Sequence, residues 1–325
     1  MAEWLYEEGI GENRAILLED DRIAEARIEL PGEIQVGAVV AGRLTAIHVP
    51  GRRGLVALEG GEALIEPLPP HLTQGQAIRV EITREPLPEA GRPKLARCRW
   101  SQEPLRAAPS LSERIAPFTR HAAPGPDRFE EAGWSELLEQ AMGGEVPFPG
   151  GALRMSLTPA MTLFDVDGTL APAELAVAGA EAAARTIRRF GIGGSIGIDL
   201  PTLASKAERQ APAEAIDIHL PQPFERTGVN GFGFLQIVRR RARASLPELL
   251  AADPAGAAAR ALLRRAERAR GAGERTLTAA PAVIARLEAH PAWIEALARR
   301  IGAPVALQAD PRLAISAGHV HSRHA

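Results

Sequence analysis

The sequence predicts an α/β core, a βαβ unit within a mixed sheet, preceded by an OB-fold-like β-barrel and followed by a small α+β domain. Three observations carry this. Residues 160–200 read as strand, helix and strand with little chain to spare. Residues 36–100 hold a series of short strand-like runs separated by Gly, Pro or charged turns. Residues 255–310 alternate helical and strand-like patterns.

Residues 1–35 form the first expected unit, a hairpin packing on the core. The run 14–19 is mostly apolar and Asp20-Asp21 marks a turn. Ala24, Ala26, Ile28 and Leu30 then alternate with Glu25, Arg27 and Glu29, the period of a half-buried strand. In 36–100 the strand candidates are GAVVAGRLTAI, GLVALE, EALIE, QAIRVEIT and KLARCRW, a spacing that suits a small barrel. Residues 101–158 are expected to be a connector and small subdomain. Pro, Ala, Ser and charge dominate 101–130, EAGWSELLEQAM suits a short helix over 131–142, and GALRMSLT suits a strand.

The catalytic α/β domain is expected over 159–250. AMTLFDV (160–166) and GSIGIDL (194–200) are buried strands around an alanine-rich helix at 172–190. Pro172 suits the first turn of that helix and Gly191 its end. Such a crossover joins parallel strands. A further helix is expected over 204–216 and a strand at GFGFLQIV (231–238). Residues 251–325 form the small α+β unit. Its second helix, PAVIARLEAHPAWIEALARRIG, is read as continuous.

Composition sets the outer bounds. The 325 residues suffice for two or three compact units, and 46% hydrophobic content is that of a folded chain. A net charge of −2 does not by itself select a polyanion, so basic residues must act locally if at all. Cys98 is the sole cysteine, which rules out an internal disulfide and a cysteine zinc site within one chain. No run reaches the roughly 18 apolar residues of a membrane span, and no apolar signal core opens the chain, so a cytoplasmic protein away from membranes is expected.

The chemistry centres on Asp165 and Asp199, each placed at the end of a strand of the βαβ unit. Parallel neighbours would bring both carboxylates to one sheet edge, where α/β proteins bind ligands. Paired carboxylates repel unless a cation or proton lies between them. Their hard oxygens suit magnesium, which polarises phosphates. The plainer reading is that each Asp caps a turn. Asp167 either supports the metal or serves as a turn residue before Gly168. The string FDVDGTL also matches the D-x-D-G-T signature of the haloacid dehalogenase superfamily through Asp165, Asp167, Gly168 and Thr169. No G-D-x-x-x-D pattern follows it, and Lys206 is the only later lysine.

The ordered series of motifs resembles the ribonuclease E/G family over nearly the whole chain. EWLYEEGIGENRAILLEDDRIAEARIEL is similar to the family's opening hairpin, and VGAVVAGRLTAIHVPGRRGLVALEGGEALIEPL to its OB-fold RNA-binding module. TPAMTLFDVDG resembles T-E-A-L-x-x-I-D-V-N-S/T-G, which carries the first metal Asp, and GGSIGIDL resembles G-G-x-I-x-I-D-F, which carries the second. VNGFGFLQIVRRRARASL is similar to I-S-x-F-G-L-L-E-M-x-R-x-R-x-x-x-S-L, and APVALQADPRL with the GHVH ending resembles the small C-terminal domain. Several positions depart from the family. Asp167 stands for an Asn, Pro159 for a Glu and Gly231 for a basic residue. Val56 and Glu59 stand where stacking rings are expected in the barrel. The zinc-linking cysteine pair is missing, and 101–140 is too short for a module sensing a 5′ monophosphate.

The resemblance implies a magnesium-dependent endoribonuclease acting on single-stranded RNA and leaving a 5′ phosphate, with Asp165 and Asp199 as metal ligands and catalytic residues and Asp167 as a third metal candidate. Arg239, Arg240, Arg241 and Arg226, with Arg43, Arg52 and Arg53 on the barrel, are the candidate RNA contacts, while Arg243 completes the basic run. Their plainer reading is a solvated arginine-rich surface. No zinc-linked dimer is expected, though a homo-oligomer is compatible. A binding relative with no catalysis and a dehalogenase-type phosphatase are the alternatives. His319, His321 and His324 are read as part of a flexible terminus rather than a metal site.

Overall fold

A computed structural model of the chain describes residues 2–322 apart from 33, 90–92, 124 and 272. The opening residues form a meander of β1 (Glu3–Glu8), β2 (Asn13–Glu19) and β3 (Arg22–Glu29). Asp20 and Asp21 both take positive φ (49° and 59°), the conformation a tight hairpin turn demands and Asp tolerates. Leu5, Ile16, Leu18, Ile23 and Ala26 of this meander share one apolar cluster with the α/β domain. The acidic β1, absent from the sequence reading, is nonetheless a strand because β2 pairs with it along its whole length.

The barrel follows. β4 (Val39–Val49), β5 (Arg53–Leu58), β6 (Gly61–Ile65), β7 (Ala77–Arg84) and β8 (Ala96–Trp100) close in the order β4-β5-β6-β8-β7. The arrangement is compatible with an OB-like barrel. Leu44, Val56, Ile65, Val80, Ile82 and Cys98 fill its interior. Val56 therefore points inward and cannot occupy a stacking surface. Only Glu59 of the two positions compared with family rings has any exposure.

The connector contains α1 (Leu111–Ile115), β9 (Thr119–His121), α2 (Arg128–Glu131) and α3 (Trp134–Gly143). β9 pairs in parallel with β1, extending the first sheet to the order β3-β2-β1-β9. The domain boundary near 158 is corrected. β10 (Glu145–Phe148) and β11 (Gly151–Leu157) are the first two strands of the α/β sheet, and Phe129, Trp134, Leu137 and Val146 belong to its core.

The central sheet continues with β12 (Thr162–Gly168), α4 (Pro172–Arg189), β13 (Gly194–Asp199), α5 (Lys206–His219), β14 (Phe224–Arg226) and β15 (Phe234–Arg239). Its order is β10-β11-β12-β13-β15-β14. β12 and β13 are parallel as expected, and the other pairs are antiparallel, so the sheet is mixed. Small residues of α4, among them Ala176, Gly179, Ala180, Ala183 and Ala184, let the helix lie close on the sheet. Pro172 opens the helix and Gly191 (φ 65°) follows it.

After α6 (Leu246–Ala252), a separate apolar cluster marks the C-terminal unit of α7 (Pro254–Arg268), β16 (Arg275–Ala279), α8 (Pro281–Glu288), α9 (Pro291–Ile301), β17 (Val305–Ala309) and β18 (His319–Ser322). The helix read as continuous is two helices, because Pro291 has no N–H to donate and opens a new one. The tail is also more ordered than expected. His319 and His321 lie in β18, paired with Thr278 and Thr276 of β16. His324 lies outside the described residues.

Candidate active site

Register builds the site. β12 and β13 are bonded neighbours, and their parallel alignment sets Asp165 directly beside Asp199. Paired residues point to the same face, strands lie about 4.8 Å apart, and a period of two puts Asp167 on that face as well. All three carboxylates are exposed, whereas Phe164, Val166, Ile196 and Ile198 on the opposite face are buried against the helices. Asp165 does not end its strand as expected. β12 runs on to Gly168 because β11 pairs with it throughout. The D-x-D-G part of the dehalogenase-like string therefore lies within a ladder rather than in a loop beyond it.

The row continues on both sides. Arg154 of β11 is the ladder partner of Asp165, and Phe234 of β15 is the partner of Asp199. Four adjacent strands thus present Arg154, Asp165, Asp199 and Phe234 in one line, about 14 Å from end to end. Arg154 Nη1 is 3.2 Å from Asp167 Oδ2. Both partners are exposed, so this pair contributes at most about 1 kcal/mol and leaves Arg154 able to turn toward another anion. Gly197 is small for a local reason: a side chain there would run into Phe234 and Leu163, which close over it.

The basic residues are distributed differently from the expectation. Arg239 pairs with Gly194, at the opposite end of β13 from Asp199, about 17 Å away along the strand. It also lies on the helix-covered face, where Nη1 donates to the Ile192 carbonyl at 3.1 Å. Burial lowers its guanidinium from its ordinary value. Arg241 pairs with Glu248 and Arg243 with Glu85. Arg240 alone of the run is exposed with no side-chain partner among the described residues. Arg226 is engaged by Asp217, whose hydrogen bonds raise the guanidinium and lower the carboxyl. On the barrel, Arg53 bonds Glu66 at 3.1 Å, Arg52 lies 3.8 Å from the same carboxylate, and Arg43 donates to the Gly75 carbonyl. The fold brings together Asp165, Asp167 and Asp199. It does not bring Arg239, Arg240, Arg241 or Arg226 to them.

Two residues near the acidic pair escaped the sequence reading. Arg154 is one charge in an alternating strand, and only the register of β11 on β12 reveals its place. Phe232, 86% exposed, stands in the loop before β15, two residues from the partner of Asp199. Burial pushes the Cys98 thiol up to about 12, so it is a packing residue and not a nucleophile. A cavity of about 1310 Å³ lies elsewhere, between barrel and body, lined by Val39, Ile82, Leu87, Leu105 and Leu249. It holds none of the row residues.

Among the described residues, no three or more His, Cys, Asp or Glu side chains gather into a metal cluster. The site offers instead a pair of adjacent carboxylates. That donor set fits magnesium, which is commonly held by one or two carboxylates with waters and substrate phosphates completing its shell. No helix among the described residues is long and apolar enough to cross a membrane. No protein-family model matches the chain, and no curated protein matches it in sequence.

Proposed function

We propose that the chain is a magnesium-dependent endoribonuclease of the ribonuclease E/G type, acting on single-stranded RNA without a sensor for the 5′ end. The observation that carries the reading is the side-by-side placement of Asp165 and Asp199 on an open sheet face. In this role the two carboxylates hold the ion and Asp167 stands beside them. A bound magnesium ion supplies phosphate polarisation and a more acidic water.

The chain's own contribution is placement. Both carboxylates project from paired strands of a packed sheet, so little reorganisation is needed when a phosphodiester arrives. The open face admits an extended strand without base pairing. The barrel adds Arg43, Arg52 and Arg53 as backbone contacts, weakened where Glu66 competes. Among the described residues, the region between barrel and sheet holds the short elements α1 to α3 and β9, which supports the reading that no 5′-end sensor is present.

The test is cleavage of a fluorescent single-stranded RNA with magnesium and with chelator. Cleavage in magnesium alone is expected. Binding without cleavage in either condition overturns the enzyme and leaves a binding relative. Hydrolysis of a small phosphate monoester, lost in Asp165→Asn, would point to the phosphatase instead.

A further inference from the structure

The loop between β14 and β15 holds up an aromatic side chain at the cost of exposing it. Asn230 organises the loop: its Oδ1 accepts from the backbone N–H of Phe232 at 2.9 Å and of Phe234 at 3.0 Å. Gly233 takes φ 90° and presses against the Leu200 carbonyl, where no side chain fits. Leu200 in turn follows Asp199 directly, and its N–H donates to the Gly233 carbonyl. The loop tip is thus tied to the strand end that carries Asp199. A phenylalanine 86% exposed on so constrained a turn contributes nothing to the core.

At the other end of the row stands Arg154, 68% exposed and held, among the described residues, only by the surface pair with Asp167. The face therefore reads, from one side to the other, as guanidinium, two carboxylates and aromatic rings. A guanidinium suits a phosphodiester, and an exposed ring suits the face of an unpaired base.

Building on the ribonuclease reading, we propose that Arg154 and Phe232 are positioning residues that bracket the Asp165–Asp199 pair, Arg154 holding an RNA phosphate and Phe232 stacking an unpaired base beside Asp199. RNA then crosses the strands along the row rather than following one of them.

The experiment measures binding of a fluorescein-labelled single-stranded RNA by anisotropy in chelator, so that cleavage plays no part. The same series is then run with an oligomer of equal charge lacking bases. Phe232→Ala is expected to weaken binding of the RNA about tenfold and leave the abasic oligomer unaffected, with Phe232→Trp restoring the RNA affinity. Arg154→Gln is expected to weaken both ligands alike and to reduce the salt slope by about 0.7, the value of one single-strand phosphate contact. Wild-type affinity in both variants, or an equal loss on both ligands for Phe232→Ala, overturns the proposal. Active cleavage by a wild type whose two variants bind normally sinks this inference alone. The expected binding pattern without magnesium-dependent cleavage sinks the enzyme reading alone, and a wild type that binds no RNA sinks both.

Discussion

In the proposed ribonuclease, the charge of Asp199 separates chemistry from binding. Asp199→Asn keeps size and removes charge, so cleavage in magnesium should fall at least about 100-fold while RNA affinity holds or rises. Asp167→Asn should cost less than Asp199→Asn, because Asp167 is paired with Arg154 and stands beside the ion rather than holding it. Comparing the two variants under matched magnesium checks the assignment, and equal losses would refute it. The arginine run also separates at this scale. Arg239 is sequestered on the Ile192 carbonyl, so Arg239→Ala should lower stability by about 1–3 kcal/mol and leave the salt dependence of RNA binding unchanged. Arg240→Ala should leave stability unchanged and flatten that dependence if RNA reaches this end of the sheet. Urea unfolding and salt titration of binding distinguish them.

At the scale of an element, the close seat of α4 on β12 is what holds Asp165 and Asp167 on the outer face. Gly179 faces Val166 so closely that a methyl there would overlap its side chain. Helix propensity alone predicts that Gly179→Ala stabilises by about 1 kcal/mol. Overpacking a full core costs about 1–3 kcal/mol, and Val166 is buried and stiff at χ1, so the cost should win. A lower urea midpoint is expected, and a raised one would show that α4 can shift outward freely. The α4 alanines were legible as a helix but not as a close seat, since alanine favours helices wherever they lie.

Across the whole molecule, the N-terminal sheet, the connector and α7 meet in a buried ionic cluster. Glu7 lies 2.7 Å from Arg268, 3.5 Å from Arg264 and 3.6 Å from Arg14, while Asp127 also bonds Arg264 and Arg268. Glu7→Gln removes a buried carboxylate shared by three guanidiniums, and a loss of about 3–5 kcal/mol in urea unfolding is expected. His121 sits within this cluster, and burial holds its imidazole below its ordinary 6.5 despite the opposing pull of Glu7. The unfolded chain therefore takes up that proton first. Stability from His121 is full above about pH 6.5 and is lost as pH falls below it. The wild type should lose stability faster below pH 6.5 than His121→Phe does, and equal slopes would remove His121 as the cause. The proposed ribonuclease has no 5′-end sensor, so cleavage rates on 5′-monophosphate and 5′-hydroxyl RNA of matched sequence should agree within a few-fold.

The sequence by itself determined the parts whose signals are local. Alternation marked β3, the five barrel strands followed from their spacing and turns, and the βαβ unit followed from two apolar runs around a Pro-opened, Gly-ended helix. The Asp165–Asp199 juxtaposition was also legible, because neighbouring parallel strands of a βαβ unit bring residues near their carboxyl ends to one sheet edge. Only the tertiary structure decided what depends on pairing between distant segments. Polar β1 and the short β9 and β14 are strands because neighbours bond to them, and β10 and β11 join the α/β sheet by pairing onto β12. Arg154 reached the acidic row, and Arg239 was turned away from it, by registers that no residue announces on its own. Charge is written in the sequence, but which face of a sheet a charge stands on is fixed by strand pairing, where a shift of one residue reverses it.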